Sequence, residues 1–125
     1  MIALDTHVVA WLHAGELRRI PATVRTRLNN EEIGISPMVL LELEYLYATE
    51  RLTLPADSLF ADLEQTIGLK LLIEPFSGIV RESLKLTWTR DPFDRLIAGH
   101  ALTGHHDLAT KDRTIRRHCK RAFWA

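Results

Sequence analysis

The chain has 125 residues and a formal net charge of +0, with 46% hydrophobic and 26% charged residues. This length predicts a single domain over residues 1–125, and the balanced charge excludes a uniformly basic nucleic-acid-binding protein. The chain contains no run of about 18 apolar residues, so no membrane span is predicted. The N-terminal segment lacks the basic leading region of a signal peptide. The one cysteine, Cys119, cannot form an internal disulfide, so we expect a cytoplasmic protein.

Short apolar runs alternate with helical patterns along the chain. The predicted strands cover residues 2–4, 32–35, 69–73, 107–109 and, at an edge, 123–124. The predicted helices cover residues 6–14, 21–29, 36–49, 55–67, 77–88, 91–102 and 112–118. Strands that alternate with helices predict an α/β protein with a parallel sheet covered on both faces.

Acidic residues recur where the predicted strands end. Asp5 ends the first strand, Glu42 lies in the helix after the second, Asp91 and Asp94 open a later helix, and Asp112 follows the strand at 107–109. Ligands of open parallel sheets bind outside the carboxyl ends of the strands, so these acids are predicted to share one edge. Helix capping explains three of them equally well, because an aspartate before a helix accepts a bond from a free N–H.

Glu42 is harder to explain without a function. Its neighbours three and four residues away are all apolar: Met38, Val39, Tyr45 and Leu46. At about 100° per residue Glu44 falls on the opposite side, so we expect Glu44 to face solvent and Glu42 to face the protein. A carboxylate there is costly unless it is paired, protonated or bound to a metal. A functional role is favoured over a pairing with a distant arginine.

Four converging carboxylates would repel one another by about 4 kcal/mol for each pair 4 Å apart at a dielectric constant of about 20. A divalent cation removes this repulsion, and ligands that are all oxygen favour Mg²⁺ or Mn²⁺ over Zn²⁺. Such a cation activates water and neutralises charge on a phosphate, so the expected chemistry is phosphodiester hydrolysis.

Four segments make the chain resemble the PIN-domain ribonucleases, and among them the VapC toxins of bacterial type II toxin–antitoxin systems. The segments are residues 2–11 (IALDTHVVAW), 35–43 (ISPMVLLEL), 91–98 (DPFDRLIA) and 108–112 (LATKD). Each is weak alone, but their order and spacing in a chain of this size are specific. The resemblance covers the whole chain.

The resemblance implies a three-layer α/β/α sandwich and a Mg²⁺- or Mn²⁺-dependent endoribonuclease that leaves a 5′-phosphate and a 3′-hydroxyl. It also implies a toxin held inactive by a small VapB-like antitoxin, and a homodimer. The family's catalytic and metal-binding acids map to Asp5, Glu42, Asp94 and Asp112. The residues assigned auxiliary roles are Thr6, Asp91 and Thr110.

A basic segment adjoins the last acid. Residues 111–121 contain six Lys or Arg and one Asp, which suits contact with an RNA backbone and equally suits a solvated helix face. The candidate RNA-binding residues are Arg95, Lys111, Arg113, Arg116 and Arg117. The three tryptophans are interpreted as core or interface residues, and the pair His105-His106 as loop surface.

Three alternatives have other functions. A PIN fold without catalysis would serve as a binding module, and the same metal chemistry would serve a DNA-directed nuclease. A receiver-type signalling domain also gathers acids, a Thr and a Lys at strand ends. It needs a phosphate-accepting Asp after the third strand, where this chain has Glu74.

Overall fold

The computed structural model describes residues 1–125 and contains one sheet of five parallel strands. The strands are β1 (Ile2–Leu4), β2 (Ile33–Ile35), β3 (Lys70–Leu71), β4 (Asp107–Ala109) and β5 (Ala122–Phe123). Their order across the sheet is β3-β2-β1-β4-β5. The central strand β1 pairs with β2 and β4 and is buried along its whole length, which explains its uninterrupted apolar sequence.

Seven α-helices connect and cover the strands. They are α1 (Thr6–Ala14), α2 (Ala22–Asn30), α3 (Pro37–Ala48), α4 (Ala56–Ile67), α5 (Phe76–Leu84), α6 (Pro92–Thr103) and α7 (Arg113–His118). None of these helices has the length and apolar character needed to cross a bilayer. A short 3-10 helix at Leu17–Arg19 was not expected from the sequence.

Two predicted elements are shorter in the structure. The strand expected at 69–73 pairs only over Lys70–Leu71. The helix expected to continue to residue 88 ends at Leu84. The chain forms a tighter turn there, because the Leu86 N–H donates to the Ser83 carbonyl and the Leu86 side chain packs in the core. The other predicted strands and helices are confirmed to within a few residues.

The helices pack on both faces of the sheet, so the predicted three-layer α/β/α sandwich is confirmed. Ile2, Leu4, Ile35 and Leu108 are all completely buried at its centre. In one outer layer α5 and α6 pack very closely, because α6 presents Gly99 to the neighbouring helix.

The strand order excludes the receiver-domain alternative. In that flavodoxin-like order the first strand lies between the second and third, whereas here β1 lies between β2 and β4. All five strands run in the same direction, so their carboxyl ends meet at one edge of the sheet. The connections that leave this edge lead into α1 and α7, which begin at Asp5 and Asp112, and into α3, which carries Glu42.

Candidate active site

Three acids at this edge cap helices. Asp5 accepts the Thr6 N–H at 2.8 Å at the start of α1. Asp91 accepts from two N–H groups of α6, and Asp112 accepts the Ile115 N–H of α7 at 2.9 Å. The capping interpretation is therefore correct for these bonds. It does not compete with a functional role, because each cap uses a single carboxylate oxygen and the cap itself fixes the carboxylate at the sheet edge.

Two completely buried threonines hold the acids together. The Thr110 hydroxyl donates to the second oxygen of Asp5 at 2.6 Å and accepts the Asp112 N–H at 3.1 Å. The Thr6 hydroxyl donates to Glu42. These bonds connect the exits of β1 and β4 with helix α3, so both predicted auxiliary threonines lie among the predicted acids.

Glu42 is half-buried on α3 and has no Lys or Arg partner, as its apolar neighbours suggested. Glu44 is exposed, as expected, but it is also bonded: it accepts the Ala56 N–H at the first position of α4, at 3.0 Å. The two glutamates of α3 thus have different roles, since Glu44 holds the next helix in place and Glu42 faces the other acids.

A cavity of about 490 Å³ opens at this edge. It is lined by the four predicted catalytic acids together with Asp91, His7, Val8, Trp11 and Lys111. Asp94, in the first turn of α6, is half-buried and caps no helix. The structure therefore brings all four predicted acids to one cavity, and it places Asp91 there as well.

The acids shift one another's ionisation. Burial and the charges of Asp91, Asp5, Asp112 and Glu42 raise the pKa of Asp94 to about 7. Burial also raises the pKa of Asp5, against the opposing bonds from the Thr110 hydroxyl and the Thr6 N–H. Burial, followed by the charge of Asp5, raises the pKa of Glu42 against the Thr6 hydroxyl bond. Carboxylates thus outnumber the single cation, Lys111, in the lining of the cavity.

These carboxylates fit a hard divalent cation by the chemistry of their donor atoms, since all of the donors are oxygens and all of the carboxylates line one cavity. No three His, Cys, Asp or Glu side chains in the structure stand close enough to form a complete ligand group. Such a spacing is compatible with Mg²⁺ in particular, because Mg²⁺ keeps several waters and takes only some of its ligands from the protein.

The predicted RNA-binding residues occupy different places. Lys111 lines the cavity. Arg95 and Arg116 each donate to a backbone carbonyl, that of Thr89 for Arg95 and that of Lys111 for Arg116. The remaining two, Arg113 and Arg117, are exposed on α7 and do not line the cavity.

Three other lining residues, His7, Val8 and Trp11, were not predicted as site residues. His7 and Trp11 lie four residues apart on α1, with their ring centroids 6.1 Å apart, so both reach the cavity from the same side of the helix. This spacing was visible in the sequence, but the direction of that side depends on how α1 sits on the sheet. His106, interpreted as loop surface, is instead largely buried and lies 3.1 Å from Glu74.

Known proteins share this chain's sequence and architecture. The family model described as "PIN domain" matches residues 2–121. The protein named Ribonuclease VapC22, from Mycobacterium tuberculosis (strain ATCC 25618 / H37Rv), is 30% identical over 122 residues, which cover 94% of this chain and 91% of that protein.

Several solved structures share the fold, among them the following two. One is VapBC2 from Rickettsia felis bound to a DNA fragment from their promoter, with a TM-score of 0.67, 20% identity and full coverage of both chains. The other is DNA-bound VapBC from Salmonella typhimurium, with a TM-score of 0.65, 24% identity, and coverage of 98% of this chain and 96% of that one. The family match over nearly the whole chain, together with the 30% identical relative, shows that this protein belongs to the PIN-domain family.

Proposed function

We propose that the protein is the toxin of a type II toxin–antitoxin system and acts as a Mg²⁺- or Mn²⁺-dependent endoribonuclease. The observation that carries this proposal is the single cavity lined by Asp5, Glu42, Asp94 and Asp112, in which burial and then the charges of the neighbouring acids raise the pKa of Asp94 to about 7. A cluster of this kind is unfavourable in the protein alone and becomes favourable when a divalent cation binds.

Asp5 and Asp94 are proposed as the main metal ligands, with Glu42 and Asp112 completing the site directly or through water. When bound, Mg²⁺ or Mn²⁺ activates water as the nucleophile and neutralises charge that develops on the phosphate. The protein supplies the positioning: Thr110 holds the Asp5 carboxylate through its hydroxyl. Such supporting bonds orient ligands and are commonly as important as the ligands themselves.

RNA is proposed as the substrate because the 30% identical relative is named a ribonuclease. Lys111 is the one Lys or Arg that lines the cavity, and it supplies a phosphate contact there. Arg113 and Arg117 extend positive charge along α7 beyond the cavity, where they can follow a backbone. Arg95 and Arg116 already donate to carbonyl groups and are assigned a weaker share.

A VapB-like antitoxin is proposed as the partner, since the two solved structures described above are VapBC complexes that share this fold. A second cavity of about 530 Å³ lies between α1, α2 and α4, with Leu12, Leu17 and Ile67 among its apolar residues. We assign the antitoxin to this groove. A homodimer is also proposed, through the exposed apolar residues Leu41 on α3 and Phe76 on α5.

The direct test is cleavage of purified single-stranded and structured RNA with Mg²⁺, Mn²⁺ or EDTA, alongside Asp94→Asn. Asp57→Asn is the matched control, because Asp57 is an aspartate in the first turn of α4 outside the cavity. We expect cleavage that requires metal and Asp94 but not Asp57. A folded protein without antitoxin that cuts DNA instead would indicate the DNA-directed alternative, and one that cuts no nucleic acid would indicate the binding module.

Expression in a bacterial host tests the toxin assignment. Growth should stop when the native protein is induced and resume when the antitoxin is co-expressed. Induction of Asp5→Asn should leave growth unaffected. Toxicity that survives Asp5→Asn would indicate an activity outside this cavity.

A further inference from the structure

We propose that Trp11 is a positioning residue for RNA, on which an unpaired nucleobase stacks beside the scissile phosphate, while Lys111 contacts the phosphate next to that base. This inference rests on the proposed ribonuclease function and assigns part of its substrate recognition to one wall of the same cavity.

The composition of the cavity wall is the first argument. Five carboxylates line the cavity and repel a polyanion, so RNA needs attractive contacts close to the acids. Among the lining residues Lys111 is the only Lys or Arg, and Trp11 is the only Trp, Tyr or Phe. Binding that does not depend on sequence commonly combines such a cation with an aromatic surface, because every base has a π-face.

The second argument is that the Trp11 ring is held in place before any ligand binds. Trp11 is only partly exposed, and its ring centroid lies 6.0 Å from that of Trp124, with the two planes inclined at 53°. Trp124 is itself buried, so it provides a fixed support. A base that stacks on a supported ring does not have to order a mobile side chain first.

The third argument is the charge around the ring. The Lys111 ammonium lies over the Trp11 ring, 5.8 Å from its centroid, and the Arg19 guanidinium carbon lies over the ring at 5.7 Å. A base that stacks on the ring takes the place of one of these cations, which then lies beside the bound nucleotide. A nucleotide stacked on Trp11 would therefore bring its phosphate within reach of at least one cation. Lys111 is the better placed of the two, since it also lines the cavity and directly precedes Asp112.

A purely structural role for Trp11 makes a different prediction. Trp11 also packs against the hydrophobic core, so its loss can change stability without any contact to RNA. Leucine keeps apolar packing and removes stacking, whereas phenylalanine keeps an aromatic face. The comparison of Trp11→Leu with Trp11→Phe thus separates the two roles. Trp88→Leu is the matched control, because Trp88 stacks on His118 at 5.4 Å and does not line the cavity.

The experiment measures the dissociation constant of short single-stranded RNA with Mg²⁺, in the Asp94→Asn background so that the RNA stays intact. We expect Trp11→Leu to weaken binding about 5- to 100-fold, Trp11→Phe to retain most of it, and Trp88→Leu to leave it unchanged. Lys111→Ala should reduce the slope of log affinity against log salt by about 0.7, the loss of one phosphate contact to a single strand. In proteins with Asp94 intact, Trp11→Leu should raise KM more than it lowers kcat.

Equal affinities for all three Trp11 side chains, or an equal loss with leucine and phenylalanine, would overturn the stacking role. If Trp11→Leu does not fold, the test uses protein with Trp11 intact and RNA that carries 2-aminopurine at one position at a time. We expect the protein to quench the 2-aminopurine fluorescence at one position. Absence of quenching at every position overturns the proposal. The two proposals fail separately. Absence of RNA cleavage by the native protein refutes the ribonuclease function, whereas cleavage and binding that do not depend on Trp11 refute only this inference.

Discussion

Asp94→Asn should make the metal-free protein more stable while removing its response to metal. In the folded protein the pKa of Asp94 is raised from its ordinary value of 3.8 to about 7, by burial first and then by the neighbouring acids. The folded chain therefore holds a proton that the unfolded chain has lost between about pH 4 and pH 7. The contribution of Asp94 to stability must therefore fall as pH rises through this window and level off above it.

The magnitude follows from the size of the shift. A shift of about three pKa units corresponds to at most about 4 kcal/mol. Because Asp94 is half-exposed and solvent screens it, we expect about 1–2 kcal/mol. Asp94→Asn should then raise the melting temperature in EDTA near pH 8 by about 3–8 °C, and by progressively less toward pH 4.

The assay is thermal unfolding from pH 4 to pH 8, in EDTA and then in Mg²⁺. Saturating Mg²⁺ should stabilise the native protein, by about 2.7 kcal/mol at a concentration one hundred times its dissociation constant, and should stabilise Asp94→Asn far less. Asp57→Asn, outside the cavity, should follow the native protein in both conditions. The reasoning is refuted if Asp94→Asn is no more stable than the native protein in EDTA near pH 8, or if its advantage does not change with pH.

Three further substitutions test the surrounding structure. Thr110→Val removes the hydroxyl that donates to the Asp5 carboxylate. RNA cleavage should fall about 10- to 100-fold, and more Mg²⁺ should be needed for half-maximal cleavage. An unchanged Mg²⁺ titration of cleavage would contradict this role. Gly99→Ala would place its Cβ 2.1 Å from the Ser83 hydroxyl oxygen and should lower the free energy of unfolding in urea by about 1–3 kcal/mol. Gly78→Ala is the control for Gly99→Ala, since the Cβ added at residue 78 would lie 3.8 Å from the nearest atom. This substitution should stabilise α5 by about 0.5–1 kcal/mol. Glu44→Ala removes the bond to the start of α4 and should cost about 1 kcal/mol of stability with little loss of cleavage, whereas a large loss of cleavage would mean that Glu44 also serves the active site.

The sequence alone was enough for the architecture and for the membership of the acidic cluster. Apolar strands that alternate with helices leave few topologies other than a covered parallel sheet. All of these acids except Asp94 are placed by local chemistry that a sequence displays directly, whereas Asp94 was selected by the resemblance to the PIN-domain ribonucleases. Asp5, Asp91 and Asp112 cap the starts of helices, and Asp5 and Asp112 also follow strands β1 and β4. Glu42 was found because no basic residue accompanies it on an apolar stretch.

Only the tertiary structure decided which partners meet across the sheet. The buried His100 lies between Ser36 and Glu74, with ring-nitrogen distances of 2.9 and 3.0 Å. His106 reaches the same Glu74 oxygen, so its interpretation as loop surface was wrong. These contacts join residues 26 to 64 positions apart in the chain. Spacing along one element carries no information about them, because they depend on how α6 packs beside the ends of β2 and β3.

The same limit applies to the wall of the active-site cavity. Periodicity placed His7 and Trp11 on one side of α1, but the rotation of α1 on the sheet decides whether that side faces core, solvent or the acids. The packing of the helices also distinguishes Lys111 from the other basic residues of 111–121, because Lys111 is the only one of them that lines the cavity. Local chemistry therefore determined where the charges gather, and the packing of helices on the sheet determined which side chains surround them.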